Sequence, residues 1–116
     1  MEWASGNIYI RPTLLNKIGD AVQGHIHNFD HTTLVFSGGV HVKATGPNGE
    51  IIEQDFYAPL AGVELYAMQG HFLVKKDWLH EITALVDGTV FWCVYSHRDP
   101  QGDVVQENNG WHKNYV

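Results

Sequence analysis

The sequence has few of the features that mark secreted, membrane or nucleic-acid-binding proteins. It contains one cysteine, Cys93, so no disulfide can form within the chain, whereas small secreted domains are often rich in disulfides. It has no signal-peptide pattern at its N-terminus and no apolar run of transmembrane length. Lys75–Lys76 is the only adjacent basic pair, which argues against a nucleic-acid-binding patch. We therefore expect a cytoplasmic protein with no nucleic-acid and no membrane partner.

The residues that are present suit a single β-rich domain. Of the 116 residues, 44% are hydrophobic and 17% are charged, and the net charge is −6. This composition is sufficient for one hydrophobic core. The 12 glycines and 4 prolines suit many turns between short strands. We expect residues 1–116 to form one domain, with residues 1–7 as a loose arm and residues 98–116 as a polar C-terminal tail.

Alternating and β-branched segments predict about nine short strands and no long helix. The first strand, Asn7–Arg11, is expected to end at Pro12 or to lie at a sheet edge, because proline has no N–H to donate. The predicted fold class is therefore all-β, a sandwich or a barrel. The other segments predicted as strands are Val22–His27, Thr32–Phe36, Val40–Thr45, Val63–Met68, His71–Val74, Glu81–Val86 and Thr89–Ser96.

The turn sequence Gly46–Gly49 predicts a β-hairpin. A three-residue loop would pair Thr45 with Ile51 and Val40 with Phe56. A two-residue loop would shift the register by one position and set carboxylates opposite core residues. Burial therefore favours the three-residue loop.

Asp87–Gly88 is a second hairpin signal, between Glu81–Val86 and Thr89–Ser96. Directly paired residues of antiparallel strands share one face of the sheet. The face that this hairpin would form is mostly apolar, so it is expected to face the core and to carry His80 inside. The pairs predicted on that face are His80 with Tyr95, Ile82 with Cys93, and Ala84 with Phe91.

Three histidines, His25, His27 and His31, lie within seven residues. Strand residues two apart share a face, so the three histidines have the same parity. His31 would lie too far along a fully extended strand, and a bulge or turn at Asn28–Asp30 would bring it close to the other two. Imidazole is the commonest metal ligand in proteins. Together with His80 from a distant strand, these side chains predict an all-imidazole metal site. The alternative is that they are ordinary strand residues, exposed or hydrogen-bonded.

The spacing around these histidines resembles the first motif of the cupin family. That motif is a glycine, five residues, H-x-H, three or four residues, a glutamate, six residues and a glycine. The chain matches every spacing, but it has histidine where the family usually has glutamate. The matching residues are Gly19, His25, His27, His31 and Gly38.

The second cupin motif is matched only loosely. Gly70 and His80 occupy motif positions, although His80 arrives one residue early. Lys76 stands in the position of the usual proline, Trp78 in that of the glycine, and Ala84 in that of the asparagine. The resemblance is therefore specific in its first motif and weak in its second.

The resemblance implies a cupin-type jelly-roll β-barrel that binds one divalent metal through His25, His27, His31 and His80. It also suggests a homodimer. Neutral ligands leave the charge of the metal uncompensated, which favours an anionic substrate. Imidazole sites suit Fe, Zn, Ni, Mn and Cu alike. Four imidazoles leave two open positions on an octahedral ion, whereas they close the shell of tetrahedral Zn²⁺.

Several further side chains are expected near this site. Tyr95 could orient a ligand through its hydroxyl or simply pack in the core. Trp92 has the outward parity of its strand, so it would cover the barrel or a dimer contact. Cys93 is expected to be a small buried side chain rather than a nucleophile. The predicted pocket residues are Phe36, Trp78, Phe91, Tyr95 and His97.

Three functions are compatible with these features. The first is a metal-dependent enzyme of the dioxygenase or isomerase type that acts on a small anionic or enolisable molecule. The second is a non-catalytic metallo-cupin that binds a small ligand such as a sugar or an organic acid. The third is a structural barrel that binds metal only incidentally.

Overall fold

The computed structural model of the chain has its strands in two layers. It describes residues 7–24, 26–59, 70–96, 98–101 and 103–104, together with the backbone of residues 3–5. Within these ranges there is no helix long and apolar enough to cross a membrane. The nine described strands are β1 (Trp3–Ser5), β2 (Ile8–Leu15), β3 (Ala21–Gln23), β4 (His31–Ser37), β5 (Gly39–Thr45), β6 (Ile51–Tyr57), β7 (His71–Val74), β8 (Leu79–Ala84) and β9 (Thr89–Ser96).

The two sheets are antiparallel, with strand orders β1-β2-β9-β4-β7 and β3-β8-β5-β6. Alternate residues of both sheets point inward and share one core, which is the arrangement of a jelly roll. The all-β prediction is confirmed. The buried core residues are Leu15, Val35, Val40, Val42, Phe72, Val74, Ile82, Ala84 and Phe91.

The hairpin at Gly46–Gly49 has the predicted register. Thr45 pairs with Ile51 and Val40 pairs with Phe56, so the three-residue loop is confirmed. Gly49 has a φ of 83°, a backbone conformation that glycine adopts without steric cost. This register turns the charged side chains of β5 and β6 to the outer face of their sheet.

One of these outer residues, His41, lies between two carboxylates. Its Nδ1 is 2.6 Å from Oδ1 of Asp55, and its Nε2 is 3.2 Å from Oε1 of Glu53. Hydrogen bonds to Asp55 and Glu53 raise the pKa of His41 above its usual 6.5. The stabilisation from this charged imidazole is therefore present below pH 6.5 and is lost as the pH rises through the higher folded-state pKa.

An NMR titration of the imidazole protons is expected to give His41 a midpoint above 6.5. Asp55→Asn removes the carboxylate with the largest effect, so the midpoint is expected to fall in that variant. Equal midpoints in the two proteins would contradict the assignment.

The second predicted hairpin is wrong. β8 pairs with β3 and β5, and β9 pairs with β2 and β4, so the two strands belong to different sheets. The turn at Asp87–Gly88 carries the chain from one sheet to the other. The predicted faces are nevertheless correct for His80 and Phe91, which are both buried. Inward faces of opposing sheets share one core, so the apolar pattern identified the face without identifying the partner strand.

The N-terminal strands also differ from prediction. Residues 3–5 form β1 rather than part of a loose arm, and β2 continues through Pro12 to Leu15. β1 pairs only with Ile8–Ile10, so one edge of β2 has no described strand partner beyond that point. Proline is tolerated at such an edge because no N–H is needed there. The predicted strand Val63–Met68 lies outside the described residues.

A sharp corner at Gly38 transfers the chain from β4 to β5. Gly38 has a φ of 78°, and a Cβ there would collide with the buried hydroxyl of Thr89. That hydroxyl donates to the Val86 carbonyl at 2.7 Å and accepts from the Gly39 N–H at 3.3 Å. The corner therefore fixes how the two sheets meet at this end.

Candidate metal centre

A small cavity lies between the two sheets and brings together three of the predicted ligands. Its volume is about 120 Å³, which is room for an ion and a ligand of a few atoms. None of the described residues that line it is acidic. They are Arg11, Thr13, Val22, Gln23, Gly24, His27, His31, Thr33, Val74, His80, Ile82, Phe91, Cys93 and Tyr95.

His31 and His80 enter this cavity from opposite sheets. His31 begins β4 and is 8% exposed, and its buried Nδ1 has no hydrogen-bond partner within the described part of the chain. His80 lies on β8 and is 6% exposed. The Nδ1–H of His80 donates to the Trp78 carbonyl at 3.3 Å, and this tautomer leaves the Nε2 lone pair for another partner. Such a bond from the second ring nitrogen to a backbone carbonyl is typical of metal-binding histidines.

The cavity keeps both imidazoles neutral. Burial, followed by the neighbouring His27 and His80, lowers the pKa of His31 from 6.5 to about 4. Burial also lowers the pKa of His80, although its bond to the Trp78 carbonyl acts in the opposite direction. Only neutral imidazole can coordinate a metal, so these two side chains are available as ligands near pH 7.

The chain leaves β3 after Gln23, so the predicted strand Val22–His27 is too long. Backbone hydrogen bonds then hold the segment beside the start of β8. The Gly24 N–H donates to the His80 carbonyl at 2.9 Å, and the Asp77 N–H donates to the His27 carbonyl at 2.8 Å. His27 therefore reaches the cavity from a loop rather than from a pleated strand.

These residues fit a divalent metal in their chemistry, but they do not complete a coordination set by themselves. The buried Nδ1 of His31 needs a partner, and neutral imidazoles around a cavity whose described lining has no carboxylate can provide ligands. His25, the fourth predicted ligand, lies outside the described residues. Within the described part of the chain, no three His, Cys, Asp or Glu side chains are grouped so that they could hold one ion.

Aromatic rings cover the histidines. The ring centroid of Tyr95 is 5.5 Å from that of His31, 6.3 Å from that of His27 and 5.1 Å from that of Phe29. The centroids of His27 and His31 are 5.2 Å apart. Phe91, which is 2% exposed, lines the cavity from the core. The predicted pocket residues Tyr95 and Phe91 thus lie in the wall of this cavity.

The other predicted pocket residues lie elsewhere. Phe36 is 65% exposed and stacks on Trp92 with centroids 4.9 Å apart, which corrects the expectation that it lines the pocket. Its side chain points outward because it alternates with the buried Val35. Trp78 lines a different groove, and His97 lies outside the described residues.

Sequence reasoning missed Arg11, whose positive charge lies at the cavity. Polar strand residues are expected to face solvent, so Arg11 was not predicted to line a pocket. In β2, Arg11 is exposed and still lines the mouth of the cavity together with Thr13, and the apolar residues Ile8 and Leu14 are also exposed. Cys93 also lines the cavity, and burial raises the pKa of its thiol, which agrees with its predicted unreactive role.

A larger groove of about 550 Å³ opens between the two sheets on the other side of His80. Lys75 and Trp78 lie on its wall, with the Lys75 ammonium 5.4 Å from the Trp78 ring. Lys75 is the only Lys, Arg, Asp or Glu among its described lining residues. These are Thr32, Val42, Ala44, Ile52, Gln54, Phe56, His71, Phe72, Leu73, Lys75, Trp78 and His80.

Comparison with solved structures identifies similar folds at low sequence identity. A variant of Bacillus subtilis oxalate decarboxylase is 18% identical with a TM-score of 0.63, over 80% of this chain and 22% of that one. An oxalate oxidase in complex with the substrate analogue glycolate is 11% identical with a TM-score of 0.64, over 86% and 46%. The Drosophila melanogaster CENP-C cupin domain is 10% identical with a TM-score of 0.55, over 78% and 60%.

The chain spans less than two thirds of the length of each of these three structures. A scan against family models gives no match, and a search of curated proteins gives none either. The likeness therefore lies in the fold.

Proposed function

Because this chain has the jelly-roll fold of the cupin superfamily, we propose that it is a metal-dependent enzyme of the oxygenase or isomerase type. Its metal ligands would be His25, His27, His31 and His80. Its substrate would be a small anionic or enolisable molecule. The metal would be one divalent ion among Fe, Zn, Ni, Mn and Cu.

The observation that carries this proposal is the buried Nδ1 of His31, which has no hydrogen-bond partner among the described residues. An unsatisfied buried polar atom destabilises a folded protein by about 1–3 kcal/mol. A metal ion in the cavity would satisfy that nitrogen, as no described protein group does. His80 is also suited to metal coordination, because its Nδ1–H already donates to a backbone carbonyl and leaves the Nε2 lone pair available.

The charges at the small cavity favour an anionic substrate. Arg11 is the only Lys, Arg, Asp or Glu among the described lining residues of the small cavity. A guanidinium forms paired hydrogen bonds with a carboxylate, and neutral metal ligands leave the charge of a 2+ ion uncompensated. Both effects favour a small carboxylate or an enolate over a neutral or cationic molecule.

Each side chain would have a defined role. A bound divalent metal would supply Lewis-acid or redox chemistry. Arg11 would hold the anionic group of the substrate, and Tyr95 would cover the histidines and orient a substrate oxygen through its hydroxyl. Phe91 and the surrounding core would exclude water from one side.

Metal analysis and oxygen uptake test this proposal together. The protein as purified is expected to contain a divalent transition metal. Protein loaded with Fe(II) is expected to consume O₂ when keto acids, diketones or thiols are supplied. Loss of O₂ uptake on chelation, and its return on adding metal, would support the enzyme. No uptake across the panel would count against the oxygenase type.

A second candidate function rests on the larger groove. Lys75, the only formally charged residue among its described lining residues, lies over Trp78, so an apolar body with one carboxylate would fit it. A non-catalytic cupin that binds an organic acid would show tight binding by calorimetry and no turnover. A metal-free protein whose melting temperature ignores added metal would contradict both metal-based functions and leave a structural barrel.

A further inference from the structure

The turn between β7 and β8 has an uncommon backbone conformation. Its Trp78 N–H donates to the Lys75 carbonyl at 3.3 Å, which closes a four-residue β-turn. Asp77, the third residue of this turn, has a φ of 64° and is the one non-glycine residue with a positive φ in the described part of the chain. The left-handed region is sterically unfavourable for a residue with a Cβ, and residues held there often have a functional role.

The same turn is hydrogen-bonded to the loop that follows β3. The Asp77 N–H donates to the His27 carbonyl at 2.8 Å, and the Lys76 N–H donates to Oδ1 of Asp30 at 2.8 Å. This loop ends at His31, where β4 begins. Two successive amides of the turn therefore hold the segment that carries two of the proposed metal ligands.

On its other side, the turn holds His80. The Trp78 carbonyl accepts the Nδ1–H of His80 at 3.3 Å, so the orientation of this imidazole depends on where that carbonyl points. The φ torsion of Asp77 describes rotation about a backbone bond that lies between the Asp77 N–H and Trp78. Its value therefore sets the direction of the bond to His27 relative to that of the bond to His80.

We propose that Asp77 is a positioning residue of the metal centre, because its left-handed backbone sets the spacing between the imidazoles of His27 and His80. This role rests on the proposed function, in which both imidazoles bind one ion. Loss of a group that orients metal ligands typically weakens metal binding by about 10–100-fold. The Asp77 side chain is exposed, so the effect comes from the conformation of the main chain rather than from the carboxylate.

Variants of Asp77 that differ in their tolerance of a positive φ test this role. Asp77→Val opposes the conformation, because a β-branched residue rarely adopts a positive φ. It is expected to weaken Co²⁺ binding by about tenfold or more and to shift the visible absorption bands of bound Co²⁺. Asp77→Gly and Asp77→Asn accept the conformation, so they are expected to keep wild-type affinity and absorption. Calorimetric titration and absorption spectroscopy of the full chain measure both properties.

Gly88→Val is the matched control. Gly88 has a φ of 72°, and its N–H donates to the Asn16 carbonyl at 3.0 Å. It lies beyond the end of β8, whereas His80 lies near the start of that strand. A Cβ at Gly88 would meet no atom within 4 Å, so the substitution changes mainly the backbone preference. This variant is expected to unfold at a lower denaturant concentration but to keep its Co²⁺ affinity.

Unchanged Co²⁺ affinity and absorption in Asp77→Val would overturn the positioning role, as would an equal loss of affinity in Gly88→Val or Asp77→Gly. If circular dichroism shows that Asp77→Val is unfolded, Asp77→Ala replaces it, with a loss of affinity expected and an unchanged affinity overturning the role. A wild-type protein that binds no divalent metal would contradict the proposed function itself. Metal binding that ignores the conformation at Asp77 would overturn the positioning role alone.

Discussion

Replacing His31 with glutamine is expected to weaken the binding of a divalent metal by more than about tenfold. Glutamine keeps a polar side chain of similar length but has no imidazole nitrogen to coordinate the ion. His31 is buried, its pKa is lowered to about 4, and none of the described protein groups forms a hydrogen bond with its Nδ1. Calorimetric titration with Co²⁺, Zn²⁺ and Fe²⁺, with elemental analysis of the purified variant, measures the loss.

The matched control is His41→Gln, which makes the same chemical change outside the cavity. His41 is held by Asp55 and Glu53 on the outer face of the other sheet, so this variant is expected to keep wild-type metal affinity. If His31→Gln bound metal with unchanged affinity and stoichiometry, His31 would not be a ligand and the proposed site would be incorrect.

Replacing Phe91 with alanine is expected to lower the free energy of unfolding by about 3–5 kcal/mol. Phe91 is 2% exposed and is the largest fully buried side chain among the described residues. It lies on the central strand of the five-stranded sheet, where it fills space between the sheets and lines the histidine cavity. Its removal leaves a void that the surrounding strands cannot close. Chemical denaturation of the metal-free protein measures the change.

Phe36→Ala removes the same side chain from the same sheet at an exposed position. This variant loses mainly the stacking on Trp92, so we expect its free energy of unfolding to fall by about 1 kcal/mol. Equal losses in the two variants would show that Phe91 does not fill the core as the packing indicates.

Much of the fold could be predicted because strand signals are local. The predicted strand His71–Val74 has the bounds that the structure shows, and the register at Gly46–Gly49 follows from burial on one face. The turn at Asp87–Gly88 misleads because a two-residue turn signal does not say whether the next strand stays in the same sheet. That choice depends on long-range packing against β2 and β4.

The sequence predicted only those site residues whose side-chain type and spacing together are typical of metal ligands. The cluster His25–His31 and the inward position of His80 follow from spacing and from burial of one face. Arg11 could not be found in this way, because the usual preference for polar residues outside assigns it to solvent. Arg11 is in fact exposed, and only the placement of β2 beside β9 shows that it also lines the cavity.

The strand order has a consequence for synthesis of the protein. The last two described strands, β8 and β9, occupy interior positions in the two sheets, and each pairs with two strands made earlier. Among the described strands, only β1 with β2, and β5 with β6, are pairs of consecutive strands. A nascent chain stalled before Leu79 could complete neither sheet and would expose unpaired strand edges. We therefore expect acquisition of the native fold to wait until β9 has left the ribosome.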